Sequence, residues 1–289
     1  MIDVHIHVHP NNLPGLKGTP GGGRALETIE EKAALVRAEM KAADVQVAFG
    51  MGRFDGPKDD PLGINATLRL ASLVPGLRAI GTANPTKTDP EHMRAVEEQI
   101  TAARRHLVAF KCYLGYLPFG PEHPNYTPYY RLAQKHGLPV IFHTGDNWST
   151  KAKLKLAHPL GVDEVAVDWP DVRFVMAHFG NPWMIDAAEV IFKNENVWAD
   201  LSGLFVGTEK SLGGLVEARD LPDAIAGLVI SDVRRALTYA DRYDRILYGS
   251  DWPLAPMAIY RRLIARIVPE EHHEAVFRTN AEKLFGLRA

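Results

Sequence analysis

The sequence predicts a (β/α)₈ barrel of the TIM type, running as a single domain over residues 1–289. Apolar strand-like runs alternate with helical stretches from end to end, which is the pattern of a parallel sheet wrapped by helices. Eight such runs are present, the number that closes a barrel. Polar residues of catalytic type sit at the C-terminal ends of these runs, where a barrel builds its active site. A doubly wound open sheet is the rival arrangement, and it does not bring the ends of strands 1, 5, 6 and 8 onto one rim.

Strand 1 is read as Ile2–Val8. Ile2, Val4, Ile6 and Val8 alternate with Asp3, His5, His7 and His9, so strand periodicity puts one set on each face. Pro10–Gly23, rich in Gly, Pro and Asn, follows directly and reads as a rim loop. The helix Thr28–Ala43 carries Ile29, Ala33, Val36 and Met40 at helical spacing. Strands Val45–Met51 and Leu77–Asn84 come next. Helix Pro90–His106 opens with Asp89 as N-cap and proline at its first position. Strand Leu107–Leu114 leads to helix Tyr126–His136, which ends at Gly137, a residue suited to the left-handed cap. Strands Pro139–Gly145 and Val172–Gly180 precede helix Asp186–Asn194. Strand Val197–Gly203, helix Ala218–Tyr239, strand Ile246–Trp252 and helices Met257–Ile267 and Glu270–Phe285 complete the series.

Bulk properties exclude several function classes. The net charge of −2 argues against a nucleic-acid or anionic-membrane partner. No apolar run reaches the roughly 18 residues of a membrane span. A basic stretch followed by an apolar segment is absent from the N-terminus, and a cleaved leader would remove His5 and His7. A single cysteine, Cys112, rules out intrachain disulfides and agrees with a reducing compartment, so a cytoplasmic enzyme is expected. Nothing here excludes a homo-oligomer.

The rim residues carry the chemistry. His5 and His7 lie on strand 1, His143 ends "VIFH", His178 ends "FVMAH" and Asp251 ends "ILYGSD". Neutral imidazoles with a carboxylate suit a divalent metal, Zn²⁺ first, with Mn²⁺, Fe²⁺ and Co²⁺ as other candidates. A catalytic metal keeps one coordination position open for water or substrate. A His or Asp left over then serves as general base and acid.

The motifs "DVHIHVHP" (Asp3–Pro10), "FHTG" (Phe142–Gly145), "AHFGNP" (Ala177–Pro182), "YGSDWP" (Tyr248–Pro253) and "NAEKLFGL" (Asn280–Leu287) occur in this order. In these motifs the chain resembles the amidohydrolase superfamily. It is most similar to the branch of small metal-dependent hydrolases and aminocarboxymuconate-semialdehyde decarboxylase-like enzymes. The resemblance implies a distorted barrel with one divalent metal per chain, held by His5, His7, His143 and Asp251. It also implies that His178 stands off the metal and works on substrate or water. In binuclear relatives a fourth-strand lysine, here Lys111 in "AFKCYL", is carboxylated and bridges two metals. In that arrangement His143 and His178 bind the second metal and Asp251 takes the water proton. The alternative is a free Lys111 ammonium that binds a substrate carboxylate or carbonyl. An unpaired charge inside a barrel is costly, so Lys111 needs one of these partners or a local one.

Further residues are substrate-contact candidates. Tyr113 shares the face of Lys111. Trp148 follows the His143 strand, and His9 lies one step beyond His7. Cys112 points away from Lys111 toward the helices and reads as core. Asp3, two residues before His5, is either an acceptor that fixes an imidazole tautomer or a strand-start polar group.

The expected function is metal-dependent hydrolysis of a small-molecule amide, lactone or ester, with His178 and Asp251 as catalytic groups. Non-oxidative decarboxylation of a small aromatic or unsaturated acid is the alternative. A non-catalytic metal-binding protein is the third reading, against which the surplus acid–base residues argue. The fold cannot separate them, because one scaffold hosts many reactions.

Overall fold

A computed structural model describes residues 1–9, 28–54, 56–218 and 225–287. The Pro10–Gly23 rim loop lies outside the described residues. Eight strands form one sheet in sequential order, and each neighbouring pair is parallel. They are β1 (Ile2–Ile6), β2 (Val47–Met51), β3 (Leu77–Thr82), β4 (Leu107–Cys112), β5 (Val140–Phe142), β6 (Phe174–Met176), β7 (Val197–Asp200) and β8 (Ile246–Leu247). The backbone NH of Val4 donates to Tyr248 O, that of Asp251 to His5 O and that of His7 to Trp252 O, at 3.0, 2.9 and 2.6 Å. These bonds join the last strand to the first and close the barrel. Every strand is shorter than the run read from sequence. The polar residues past each C-terminal end leave the ladder and enter the rim.

Helices fill the connections: α1 (Ile29–Ala43), α2 (Asn65–Ala71), α3 (Pro90–Ala102), α4 (Thr127–His136), α5 (Leu160–Asp168), α6 (Met184–Lys193), α7 (Glu209–Glu217), α8 (Ile225–Ala240), α9 (Met257–Ile267) and α10 (Asn280–Phe285). Helix α1 opens on a capping box, in which Glu31 N donates to Thr28 Oγ1 and Thr28 N to a Glu31 carboxylate oxygen. Asp89 caps α3, and Gly137 ends α4 at φ 64°. Three helices were not expected. Helix α2 is short and has no side-chain cap. The surface of α5 keeps Leu160 and Val167 exposed, which blurs its apolar stripe. Helix α7 contains Gly213 and Gly214, poor helix formers. The closing helix is also shorter than Glu270–Phe285: a wide turn at Ala275–Thr279 precedes α10.

The barrel interior is packed by Ile2, Val4, Phe49, Met51, Ile80, Val108, Ile141, Val175 and Leu247. Ala281 and Leu284 of α10 join this cluster, and Phe285 meets Phe49 edge-on at 4.7 Å. A second apolar layer lies between the strands and the helices, and Cys112 belongs to it as expected.

Strand β1 departs from simple alternation. Ile2 and Val4 pack inside the barrel, whereas Ile6 and Val8 pack outside it against Val36 and Met40 of α1. The cause is a register shift between Asp3 and Ile6 in the pairing with β2. One extra residue there lets Val4 and the following His5 both turn inward. Asp3 therefore does not share the face of His5. Its Oδ1 accepts from the backbone NH of His5 and of Ser250, both at 3.1 Å, so it clamps β1 to the chain leaving β8. Burial raises its pKa to about 7. Among the described residues no helix is long and apolar enough to cross a membrane.

Candidate metal centre and its pocket

The C-terminal rim brings His5, His7 and Asp251 together, all buried, with one donor atom of each within 4.8 Å of the others. Asp251 Oδ1 lies 3.0 Å from His7 Nε2 and 3.5 Å from His5 Nε2. Despite this proximity, Oδ1 and His5 Nε2 have no hydrogen bond of acceptable geometry among the described residues. Asp251 itself holds a left-handed backbone, φ 59°, which is uncommon for a residue with a side chain and marks a constrained position.

The far side of His5 shows why its inner nitrogen is bare. His5 Nδ1 donates to Asp200 Oδ2 at 2.9 Å, which places the imidazole proton on Nδ1. Asp200 sits at the end of β7, and its other oxygen accepts from the backbone NH of Ser202 and of His178, at 3.0 and 3.2 Å. The Ser202 hydroxyl also donates to it. Burial alone would raise the Asp200 pKa, but contact with His5 and the charge of His178 and Lys111 hold it well below the carboxylate range. Burial lowers the pKa of His5, with Lys111 adding to the effect, so the ring is neutral. His5 Nε2 is therefore a lone pair aimed at a carboxylate oxygen. Two electron-rich atoms converge with no proton to share, which is the arrangement a cation satisfies. The residues present fit a divalent metal.

His143 and His178 form a second unit. His143 Nε2 donates to the Asp146 carbonyl at 2.9 Å, and His178 Nδ1 to the Ser202 carbonyl at 3.1 Å. The remaining nitrogens, His143 Nδ1 and His178 Nε2, face each other at 3.1 Å. Carbonyls only accept, so both facing nitrogens are bare when the rings are neutral, and the pair attracts a proton or a cation. Burial lowers His178 to about 4 and, with the neighbouring His178 charge, His143 well below the imidazole range. His178 is held at φ 60° and Phe179 at φ 45°. Gly203, at φ 64°, lets the β7 loop pass close. A Cβ there would lie 2.6 Å from His178 Nδ1 and 2.8 Å from Asp251 Oδ2.

A cavity of about 290 Å³ opens on these groups, and His7, His143, His178 and Asp251 line it. Three substrate-contact candidates from the sequence, Lys111, Tyr113 and Trp148, line it too. Burial lowers the Lys111 pKa to about 8, so the ammonium form persists at neutral pH. Trp148 is 41% exposed, at the mouth. His9 does not line the cavity; its Nε2 lies 3.2 Å from Thr67 Oγ1. Sequence reasoning passed over Asp200 and Ser202. Their signal was a polar residue ending an apolar run, "VWAD", the same signal that marked Asp251.

A family model described as Amidohydrolase matches residues 2–287. The chain belongs to the amidohydrolase family. No curated protein matches it. Among solved structures, it is similar to an uncharacterized TIM-barrel protein from Bordetella bronchiseptica, at 20% identity and TM-score 0.69, covering 99% of each chain. It is also similar to 2,6-dihydroxybenzoate decarboxylase from Rhizobium, at 15% identity and TM-score 0.66, covering 99% of this chain and 98% of that one. Dihydroorotase from Campylobacter jejuni follows at 13% identity and TM-score 0.61, covering 100% and 83%. These likenesses establish the barrel. Family membership and the His–Asp donor set agree on a metal-dependent type of site.

Proposed function

We propose that the protein is a metal-dependent hydrolase of a small-molecule amide, lactone or ester, with Zn²⁺ as the first candidate ion, one per chain. The observation that carries this reading is the bare His5 Nε2 facing Asp251 Oδ1, with the tautomer fixed from behind by Asp200. His5, His7 and Asp251 would hold the ion, and His143 is the expected fourth ligand. The bound ion would lower the pKa of water from 15.7 to roughly 7 and polarise a carbonyl.

The chain's own groups do the rest. His178 keeps its proton on Nδ1 through the Ser202 carbonyl, so Nε2 is an acceptor and suits abstraction of a proton from water. The same imidazole, once protonated, can return that proton to the leaving group. Asp251 orients against both strand-1 histidines. Asp200 holds His5 and the backbone of His178 in one frame, so the proton acceptor and the metal-binding ring share a support.

A decarboxylase is the second reading. Solved structures similar to this chain include decarboxylases of 2,6-dihydroxybenzoate and 5-carboxyvanillate. That reaction needs a proton delivered to carbon, which the acceptor tautomer of His178 favours less. The test is turnover of the metal-loaded protein on a panel of lactones, esters, amides and aromatic acids. Acid release without CO₂ supports the hydrolase, CO₂ release the decarboxylase. Tight metal with no turnover leaves a binding protein.

A further inference from the structure

The cavity lining carries polar groups that the reaction above does not use. Lys111 is 1% exposed, and its Nζ has no hydrogen-bond partner among the described residues. Tyr113 is 3% exposed, and its hydroxyl also lacks one. Both side chains line the cavity, and the Lys111 ammonium stands 5.7 Å from the Tyr113 ring centroid. Thr82, the register partner of Lys111 on β3, has an unpartnered hydroxyl as well.

Asp200 and Asp251 act on Lys111 through their charge, but neither hydrogen-bonds to its Nζ. Asp200 is saturated by His5, Ser202 and the His178 backbone, and Asp251 is turned to His5 and His7. A buried ammonium without a hydrogen-bonding partner is strongly disfavoured, so the pocket calls for an anion.

We infer that the cavity takes a substrate bearing a single carboxylate, held by the Lys111 ammonium and the Tyr113 hydroxyl, with its apolar body on Leu204, Val206, Val229 and Leu254. Those four side chains form the aliphatic part of the lining. A carboxylate offers two acceptor oxygens to two donors, and charge-assisted bonds of this kind are the strong ones. The cavity, about 290 Å³, is at the lower end of ligand sites, so the body is a small ring or short chain. The inference rests on the proposed function for the bond that is cut. The carboxylate on Lys111 is a recognition handle remote from that bond and survives into the product. It also assigns Lys111 a free ammonium rather than a carboxylated one.

Binding of benzoate and of benzamide, its neutral near-isostere, to the zinc-loaded full-length protein by titration calorimetry tests this. Benzoate is expected to bind at least about tenfold more tightly, the scale of one charge-assisted contact. Lys111→Met should bring the two ligands within about twofold, and Tyr113→Phe should narrow the ratio partway. The metal-free His7→Ala protein should keep the preference, which separates Lys111 from the ion as the source. Equal binding of both ligands by the wild type overturns the inference with no variant needed. So does a Lys111→Met protein that keeps the preference, or a carbamate carbon signal in ¹³C-bicarbonate NMR of the native protein. A benzoate preference together with failure of the whole turnover panel removes the hydrolase reading and leaves the subsite standing. Hydrolysis with no gain from a carboxylate on the substrate removes the subsite alone.

Discussion

At the β1–β8 side of the rim, the buried His5 Nε2 and Asp251 Oδ1 are acceptors without a hydrogen-bond partner, whereas at the β4 side Lys111 Nζ and the Tyr113 hydroxyl are donors without one. The first pair converges on itself and is braced from behind by Asp200. The second has no such brace among the described residues and faces the cavity. A barrel interior of low dielectric penalises both conditions, so each side is built for something that arrives from outside. The proposed metal ion would answer the first pair, and the inferred carboxylate the second. His143 and His178 lie between the two sides, with facing nitrogens at 3.1 Å.

The contrast is broken most severely by removing a ligand on the cation side. His5→Ala or His7→Ala should take metal content from about one per chain to near zero and abolish turnover. The fold should survive, because His7 borders the cavity and His5 lies among polar groups, so neither deletion leaves a large apolar void. Metal analysis with circular dichroism checks both. A variant that keeps full metal and full activity would remove that residue from the centre.

His178→Asn tests the bridge between the sides. Metal content should stay near wild type while kcat falls by roughly 10²–10⁴, the span of a general acid–base group. The loss should appear in kcat and in kcat/KM alike. If metal leaves with the side chain, the facing His143 and His178 nitrogens hold an ion. Two equivalents per wild-type chain would then be measured.

A smaller effect is expected behind the metal centre. Asp200→Asn can offer an NH₂ group to His5 Nδ1, which would move the ring proton to Nε2 and block the lone pair. Metal affinity, read by competition with a chelator, should weaken by about 10–100-fold, the usual cost of losing such a partner. Saturating metal should restore much of the turnover. An unchanged affinity would mean that the tautomer is set by something other than Asp200.

Much of the candidate site was legible: His143, His178 and Asp251 each end an apolar run that roots them in the barrel, alternation in strand 1 marked His5 and His7, and the resemblance drew out Lys111. What the sequence hid has physical causes. Alternation assigns a face but not an azimuth, so it could not tell that His143 meets His178. The register shift in β1 leaves no mark in composition, yet it separates Asp3 from His5 and moves Ile6 and Val8 to the outer layer. Asp200 carried the same signal as Asp251 but stands in none of the motifs that carry the family resemblance. Paired glycines masked α7, whose stability comes from capping by Thr208 and from burial of Leu212.

His9 gives the mildest test and the one that depends most on reading a strand by period alone. Alternation from His5 and His7 carries it to the same face, which made it a substrate-contact candidate. The strand has ended by then, and β1 stops at Ile6. His9 instead places Nε2 3.2 Å from Thr67 Oγ1 on α2, outside the cavity lining. Burial, with Lys32 and Arg53 adding to it, lowers its pKa to about 3, so the ring carries no charge toward either side of the rim. Glutamine can keep a polar contact with Thr67 at similar reach. His9→Gln should therefore leave metal content unchanged and kcat/KM within about threefold of wild type, the scale of an interaction not made in the transition state. A tenfold rise in KM with kcat intact would put His9 against the substrate and extend the anion side of the rim across to β1.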